Sequence, residues 1–449
     1  MIQKPRIIIA FTLLLSSFTA SSQSKKWTLE ECVNHAIQHN ITIKQSELDK
    51  QSSEISKKDA LGNFLPSITG VASHGWSLGL SVDPLTGIKK DQTTESSSGE
   101  IRAGIDIYKG LQNVNQMRKA NLSIIASQYQ LTKMKEDVSL NVVNAYLQIL
   151  FNKENLKVQQ QQLQYDTKQM ERTKELVDAG VIAKGDLLDV NATVAADNQR
   201  LIAAENALLI SKLSLAQLLQ LENFQEFDVA EGNVDAVLSK VLLEDPKTIL
   251  SKAKETRTEL KLAQTNLQIA EKDIQIAKGA YQPSLSGYYN IGTSVLHKNT
   301  LIPSSNIPSF SDQVGNNKGQ NFGVSLQIPI LSGFSVRNNV SRSKIALERS
   351  KIALEQSELD LERTVYTAYT DTKGAQKSYE AAVTTLEARE NSMTYAKERY
   401  EVGLMNVFDY NQAQTLYVNA QSEVLRTKYD YIFRTKILEF YFGIPIIKN

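Results

Sequence analysis

The chain has 449 residues, 41% of them hydrophobic, with 50 basic and 49 acidic side chains. That length can bury a sizeable core without metal or disulfide staples, and a net charge of +1 gives nucleic acid nothing to bind. The single cysteine, Cys32, excludes an intrachain disulfide and any metal site built on several thiolates.

The first residues have the pattern of an export signal. Lys4 and Arg6 form a basic start, Ile7 to Leu15 an apolar run, and Ala20 and Ser22 the small residues before an expected cut ahead of Gln23. The run is shorter than the ~20 residues a membrane helix needs, and Cys32 is too far downstream to be a lipidated first residue. Residues 1–22 are therefore expected to be a removed leader. No later stretch is expected to form a membrane helix, so a mature chain that crosses a membrane must do so as a closed β-barrel.

The mature region is a tandem duplication. Ile105–Gly110 matches Ile328–Gly333, and the same shift of 223 positions carries Tyr146 onto Tyr369, Gly180 onto Gly403, Asp186 onto Asp409 and Leu215 onto Leu438. Upstream, Asn63-Phe-Leu-Pro66-Ser matches Ala280-Tyr-Gln-Pro283-Ser at 217, which puts the length difference in the hairpin loops. The expected layout is a first repeat over 23–222, with a β-hairpin at 64–109 and a long helical hairpin at 110–222. A linker follows over 223–245, then a second repeat over 246–449, with a β-hairpin at 283–331 and a helical hairpin at 333–442.

The strands are predicted from period-two alternation. Ile68, Ala72, Trp76, Leu78 and Leu80 alternate with Thr69, Ser73, Ser77 and Ser81; Ile101, Ala103, Ile105 and Ile107 alternate with Glu100, Arg102 and Asp106. In the second copy Leu285, Tyr289, Ile291 and Val295 share one face, as do Phe322, Val324, Leu326, Ile328 and Ile330. Polar loops are expected at Pro84–Ser97 and His297–Gly319. Between Gly110 and Gly180 there is neither glycine nor proline, which allows one helix of roughly 100 Å at 1.5 Å per residue. After each turn an apolar heptad follows: Leu187, Val194, Leu201, Leu208, Leu215 and, 223 positions on, Tyr410, Tyr417, Val424, Tyr431, Leu438. A second line, Leu188, Ala195, Ile202, Leu209, Ala216, widens the first beyond a two-helix seam.

Each strand exceeds the ~9 to 11 residues that span a membrane, but four strands cannot close, since membrane barrels start at about eight. Three protomers supply twelve. The expected fold is mainly α with a membrane β-barrel: duplicated helix–hairpin units, a trimeric twelve-stranded β-barrel and a long periplasmic α-barrel. A secreted helical scaffold or adhesin would explain the leader and the helices but leave the amphipathic strands without purpose.

Three features point to no chemistry. His35 and His39 are four apart on the first helix but have no evident third ligand, so no metal is expected. The run Gln159–Gln162 fits a polar coiled-coil surface. No nucleophile–base pair or phosphate cradle stands out, so neither an enzyme nor a cofactor is expected.

The opening Trp27-Thr-Leu29-Glu-Glu-Cys-Val-x-x-Ala36-x-x-x-Asn40, both Gly-x-x-x-x-x-Asp turns and both strand-to-helix junctions resemble the TolC-like outer membrane factor family. The resemblance covers essentially the whole mature chain. It implies a homotrimer in outer-membrane lipid, with part of an equatorial belt at 223–245. The trimer is the exit duct of a tripartite efflux or type I secretion system, meeting a periplasmic membrane-fusion adaptor and an inner-membrane pump of the RND or ABC type. By the same resemblance Tyr400, Asp186 and Asp409 belong to the network that closes the periplasmic aperture. The turns Gly180, Val181, Ile182 and Gly403, Leu404, Met405 are the docking tips. Met405 replaces an arginine found in some members and Gln412 replaces an aspartate, which weakens the expectation of a salt-bridged lock. Capping of the following helix by the two aspartates is the alternative role.

Overall fold

The computed structural model describes residues 26–82, 87–231, 240–299 and 307–446. The expected leader, the middle of the 223–245 linker and parts of both hairpin loops lie outside the described residues. In order, the elements are β1 (Lys26–Trp27), α1 (Leu29–His39), α2 (Ile41–Gly62), β2 (Ser67–Val82), β3 (Lys89–Lys109), α3 (Gln112–Asp178) and α4 (Lys184–Leu219). There follow β4 (Asp228–Val229), a 3-10 turn (Lys240–Leu243), α5 (Pro246–Thr256), α6 (Thr258–Gly279), β5 (Ser284–Asn299), α7 (Phe310–Asn316), β6 (Gly319–Gln327), α8 (Ser335–Glu401) and α9 (Val407–Tyr441). The first helices of the two hairpins, α3 and α8, are each 67 residues long.

The chain forms two compact units. One, built from residues 46–131 and 258–358, contains an antiparallel sheet in the order β2-β3-β5-β6, so the β3–β5 pairing joins the two copies. The register places Ala72, Gly99 and Thr293 across from one another, and Tyr289 opposite Phe322. Ile68, Trp76, Leu78, Ile101, Phe322, Val324 and Leu326 are all exposed on the apolar face. On the other face Ser73 Oγ lies 2.7 Å from Ser98 Oγ, and Arg102 pairs with Glu100.

Three expectations about the strands need correction. The loop expected at Pro84–Ser97 is mostly strand: β3 starts at Lys89 and pairs with β2 from Val82↔Lys89 through Ser77↔Thr94. Its serines and threonines hide the alternation, and backbone pairing alone extends the ribbon. The loop expected at His297–Gly319 begins with strand to Asn299 and contains α7. Beyond Gly292↔Gly319, β5 has no β6 partner, and the buried Gln313 of α7 takes over. Its Oε1 accepts from the Leu296 amide at 2.7 Å and its Nε2 donates to the Leu296 carbonyl at 2.9 Å, satisfying an edge as a strand would. Finally, β6 stops at Gln327, because Pro329 has no N–H for a ladder, so Ile328 and Ile330 lie past the strand.

Each strand-to-helix junction contains two consecutive left-handed residues, Gly110 (φ 57°) with Leu111 (61°) and Gly333 (55°) with Phe334 (65°). At the first, the backbone packs against the end of α6: a Cβ on Gly110 would collide with the Gly279 carbonyl, and one on Gly279 would lie 2.5 Å from the Gly110 oxygen.

The other unit, residues 26–45, 132–257 and 359–446, is helical. Thr28 opens α1 with a capping box: Thr28 Oγ1 accepts from the Glu31 amide at 3.2 Å, and Glu31 accepts from the Thr28 amide at 2.9 Å. Cys32, Val33 and Ala36 are then buried, as are Val142, Val143, Leu150, Leu215 and Leu219. Burial pushes the Cys32 thiol up to about 12, so it is unreactive. Parallel pairing of β1 with β4 is pinned by Lys153, which donates to Asp228 at 2.8 Å and to the Val229 carbonyl at 3.0 Å. Burial alone would raise the Asp228 carboxyl, but Lys153 and Lys212 hold it below the usual range. His35 and His39 stack at 4.0 Å on α1.

One further expectation changes in this unit. The buried line of α4 is Val190, Asp197, Ala204, Ser211, whereas Leu187, Leu201 and Leu208 are only half-buried and Leu188, Ile202 and Leu209 are exposed. Mixed and small residues face the chain's own helices, and the leucines are left over. For the same reason α4 is long and apolar enough by composition to cross a membrane (mean hydropathy 1.3 in its best window), contrary to the expectation that no such stretch follows the leader.

Gly110→Ala is expected to lower the stability of the detergent-solubilised protein by about 2 kcal/mol or more, through left-handed strain and the collision with Gly279. Gly185→Ala, which meets open space, is expected to be neutral or slightly stabilising. Equal melting curves for Gly110→Ala and wild type would show that this close approach carries no load.

Candidate functional site

The two turns joining the long helices are built alike. After α3, Gly180 takes φ 72°, its amide donates to the Val177 carbonyl at 2.9 Å, and the Val181 amide reaches back to Leu176 at 2.9 Å. After α8, Gly403 takes φ 76°, donating to Tyr400 at 3.1 Å while Leu404 donates to Arg399 at 2.8 Å. Both are Schellman closures, which satisfy orphan carbonyls and require the left-handed residue glycine supplies. They push apolar side chains outward: Val181 and Leu404 are 67% and 70% exposed, while Ile182 and Met405 are half-buried. The tip also includes Val402 and Phe408, both exposed, which the turn pattern did not single out.

Restart of the helices differs between the copies. In α9, Asn406 is the cap: its Oδ1 accepts from the Asp409 amide at 2.8 Å and its Nδ2 donates to Asp409 Oδ2 at 2.9 Å. In α4 the capping position is Ala183, which offers no side-chain bond, and Asp186 lies three residues further on, half-buried. Neither aspartate is therefore the cap: Asp409 is the partner of a capping asparagine, exposed at the first turn of α9, and Asp186 is free of that duty.

Tyr400 does not join the aspartates but belongs to an aromatic cluster deeper in the helical unit. Its ring stacks on Tyr410 at 4.6 Å and its hydroxyl accepts from Gln169 Nε2 at 3.1 Å, while the Tyr410 hydroxyl bonds to that of Tyr165. Burial and the Tyr165 hydroxyl raise the Tyr410 phenol far above its ordinary range, so it stays protonated. Beside this cluster is a buried polar centre. Asp166 of α3 accepts from Gln414 of α9 at 2.6 Å and from Gln162 at 2.5 Å. Asp197 of α4 is within hydrogen-bonding reach of Asp166, and Arg200 Nη2 lies 2.7 Å from its Oδ1. Both aspartates are only 2% exposed. Burial, then Asp166, pushes the Asp197 carboxyl up to about 7. Sequence reasoning missed this centre; the available signal was a charged residue, Asp197, seven positions from Val190 and from Ala204 on one helix line.

The sequence pattern of the outer membrane efflux protein family matches residues 32–220 and 249–442, one stretch for each copy. The chain belongs to the outer membrane efflux protein family. It is 22% identical over 445 residues to the outer membrane protein TolC of Escherichia coli K12, covering 96% of this chain and 84% of the relative. The fold matches the Campylobacter jejuni CmeC outer membrane channel with TM-score 0.75 at 18% identity, covering 92% and 85% of the two chains. It also matches a membrane protein from Pseudomonas aeruginosa with TM-score 0.77 at 17% identity, covering 93% and 92%. This efflux protein is thus an outer-membrane channel component, with a β-barrel and a helical barrel in its fold class, and it is not an enzyme.

Proposed function

We propose that three copies of this efflux protein close a twelve-stranded barrel and form the passive exit duct of a tripartite efflux or type I secretion system. The observation that carries this reading is the sheet. One chain supplies four strands with an exposed apolar face, and among the described residues β2 and β6 each pair on one side only. In lipid such edges must find partners. The duplication says which partner. Within the chain, the Gly110 junction meets Gly279 at the end of α6. The corresponding residues of the other copy, Gly333 and Gly62, meet nothing within 4 Å. A neighbouring protomer pairing β6 with its own β2 brings Gly62 to Gly333 and repeats the same close approach. The repeats over 23–222 and 246–449, with the 223–245 linker, then alternate around the ring.

In this assembly the turns form the periplasmic end. Asp409 from each protomer, exposed at the first turn of α9, narrows the closed aperture and repels anions, with Asp186 at the matching place in the first copy and Tyr400 holding α8 on α9. The exposed tips, Gly180-Val181-Ile182 and Gly403-Leu404-Met405, dock a periplasmic adaptor that is coupled to an inner-membrane pump of the RND or ABC type. With Met405 in place of arginine, stacking of Tyr400 on Tyr410 serves where a salt bridge would.

Three measurements test these readings. Ser73→Cys with Ser325→Cys copies between protomers the Arg102↔Asn290 pair that β3 and β5 form within the chain. It is expected to give a covalent ladder up to trimer on non-reducing gels, and a monomer band alone would refute the arrangement. Asp409→Ala is expected to shift planar-bilayer channels toward anions and change their conductance; unaltered selectivity and conductance would remove Asp409 from the aperture. Val181→Asp with Leu404→Asp is expected to abolish adaptor crosslinking while trimers persist, and undiminished crosslinking would place the docking surface elsewhere.

A further inference from the structure

The proposed duct makes no use of the two carboxyl groups buried among α3, α4 and α9. Each is 98% hidden from solvent, and neither Asp197 oxygen accepts a directed hydrogen bond. Asp166 spends its oxygens on Gln414 and Gln162, the Oε1 of Gln414 is itself buried without a donor, and among the described residues Arg200 is the one cation against the pair. Facing the pair are Gln162 from α3, Arg200 from α4, and Gln414 and Tyr410 from α9, with Tyr165 of α3 and Tyr400 of α8 against Tyr410. Tyrosine and glutamine are neutral, so two ionised carboxylates against one guanidinium leave a net negative charge on buried groups. Such a charge is expensive to bury.

A surplus of acceptors calls for either a cation or a proton. A calcium or magnesium ion needs about six oxygen ligands, and here a guanidinium 2.7 Å from Asp197 occupies the ground beside it. One hydrogen between two carboxyls satisfies the same oxygens and cancels the excess charge.

We propose that Asp166 and Asp197 share one proton that ties α3 to α4 and α9 beneath the two turns, and that its release as the surroundings turn alkaline loosens these hairpins. The inference rests on the reading of the turns as the duct's moving end only for its consequence; the bond itself stands on the geometry of the helical unit. The sign follows from the direction of the shift. The folded chain holds a proton that an unfolded carboxyl would already have released, so the cost of folding this junction grows from the ordinary carboxylate range up to about pH 7 and is complete above it. The junction is firm in mildly acid surroundings and loose in alkaline ones.

Hydrogen exchange of the full-length protein in detergent micelles, read over residues 160–200 and 405–418 and corrected for the intrinsic rate at each pH, tests this. Wild type is expected to lose about tenfold in protection between about pH 6 and about pH 8.5. Asp197→Asn, neutral and of similar shape, is expected to stay flat across that range, as is Asp166→Asn, which serves if the first variant assembles poorly. A wild type without pH response, or an Asp197→Asn protein that keeps the wild-type response, overturns the proposal. Protection that follows added calcium at constant pH also overturns it, in favour of a cation site. Bilayer conductance over the same pH range separates the two readings: loosening without a conductance change upholds the shared proton and counts against the turns as the gate.

Discussion

A peptide group without a hydrogen-bond partner in hydrocarbon costs several kcal/mol, and the outer edges of β2 and β6 present whole rows of them. This constraint organises the rest of the protein. It requires the four-stranded sheet to be completed by other sheets and the joints between copies to repeat. Gly110 and Gly279 show how tight one such joint is, with two backbones touching where neither residue can carry a side chain. The two outer edges of the same sheet carry the matching glycines, Gly62 beside β2 and Gly333 beside β6, with empty space around them. A duplicated chain that builds one joint internally and leaves the matching half-joint open is built as the proposed ring requires. Where the ladder cannot continue, at the outer end of β5, the buried Gln313 imitates a strand.

The helical unit solves a different problem with similar economy. Each long helix must be packed on more than one side, and the faces turned toward the chain's own helices are more polar than a coiled-coil seam would be. Asn152 donates to the Ala207 carbonyl, Asn411 to Thr193, Ser422 to Asn155, and Thr372 to the Arg434 carbonyl. Such bonds add little net stability each, but every unmatched alternative leaves a buried polar atom unsatisfied, so they fix the register of helices whose heptads alone would allow sliding. Leu188, Ile202 and Leu209, exposed in one chain, are the surface left for neighbours.

What could be read from the sequence follows from this division. The strands were legible wherever one face was apolar, as from Ile68 to Leu80, and illegible from Lys89 to Ser98, where polar residues occupy both faces and backbone pairing, with β2 throughout and with β5 from Thr94, defines the strand. Pro329 outweighed the alternation of Ile328 and Ile330. The helical hairpins were legible from the absence of helix breakers and from the two turn glycines, whose left-handed φ is local chemistry. Which face of α4 turns inward was not legible: leucine spacing marks apolar surface but does not say whose core it enters. The aperture residues divide in the same way. Gly180 and Gly403 are dictated by backbone geometry, whereas the partners of Tyr400, namely Tyr410 and Gln169, lie ten positions away and on another helix, and only packing brings them together.

The asymmetry between the turns bears on how such an end could open. The second turn is held at both sides: Asn406 and Asp409 cap each other's groups, Arg399 reaches the Leu404 carbonyl, and Tyr400 is stacked on Tyr410. The first turn has the same Schellman closure but no side-chain cap, and glycine at 185 inside the first turn of α4 adds backbone freedom. What holds the first hairpin lies further down: Asp197 against Asp166 ties its two helices together, and Gln414 against Asp166 and Asn411 against Thr193 tie it to α9. The two copies have thus divided the labour. One turn is stiffened at its tip by local caps, and the other depends on a buried contact whose strength changes with protonation, so a motion of the ends begins most easily in the hairpin of α3 and α4.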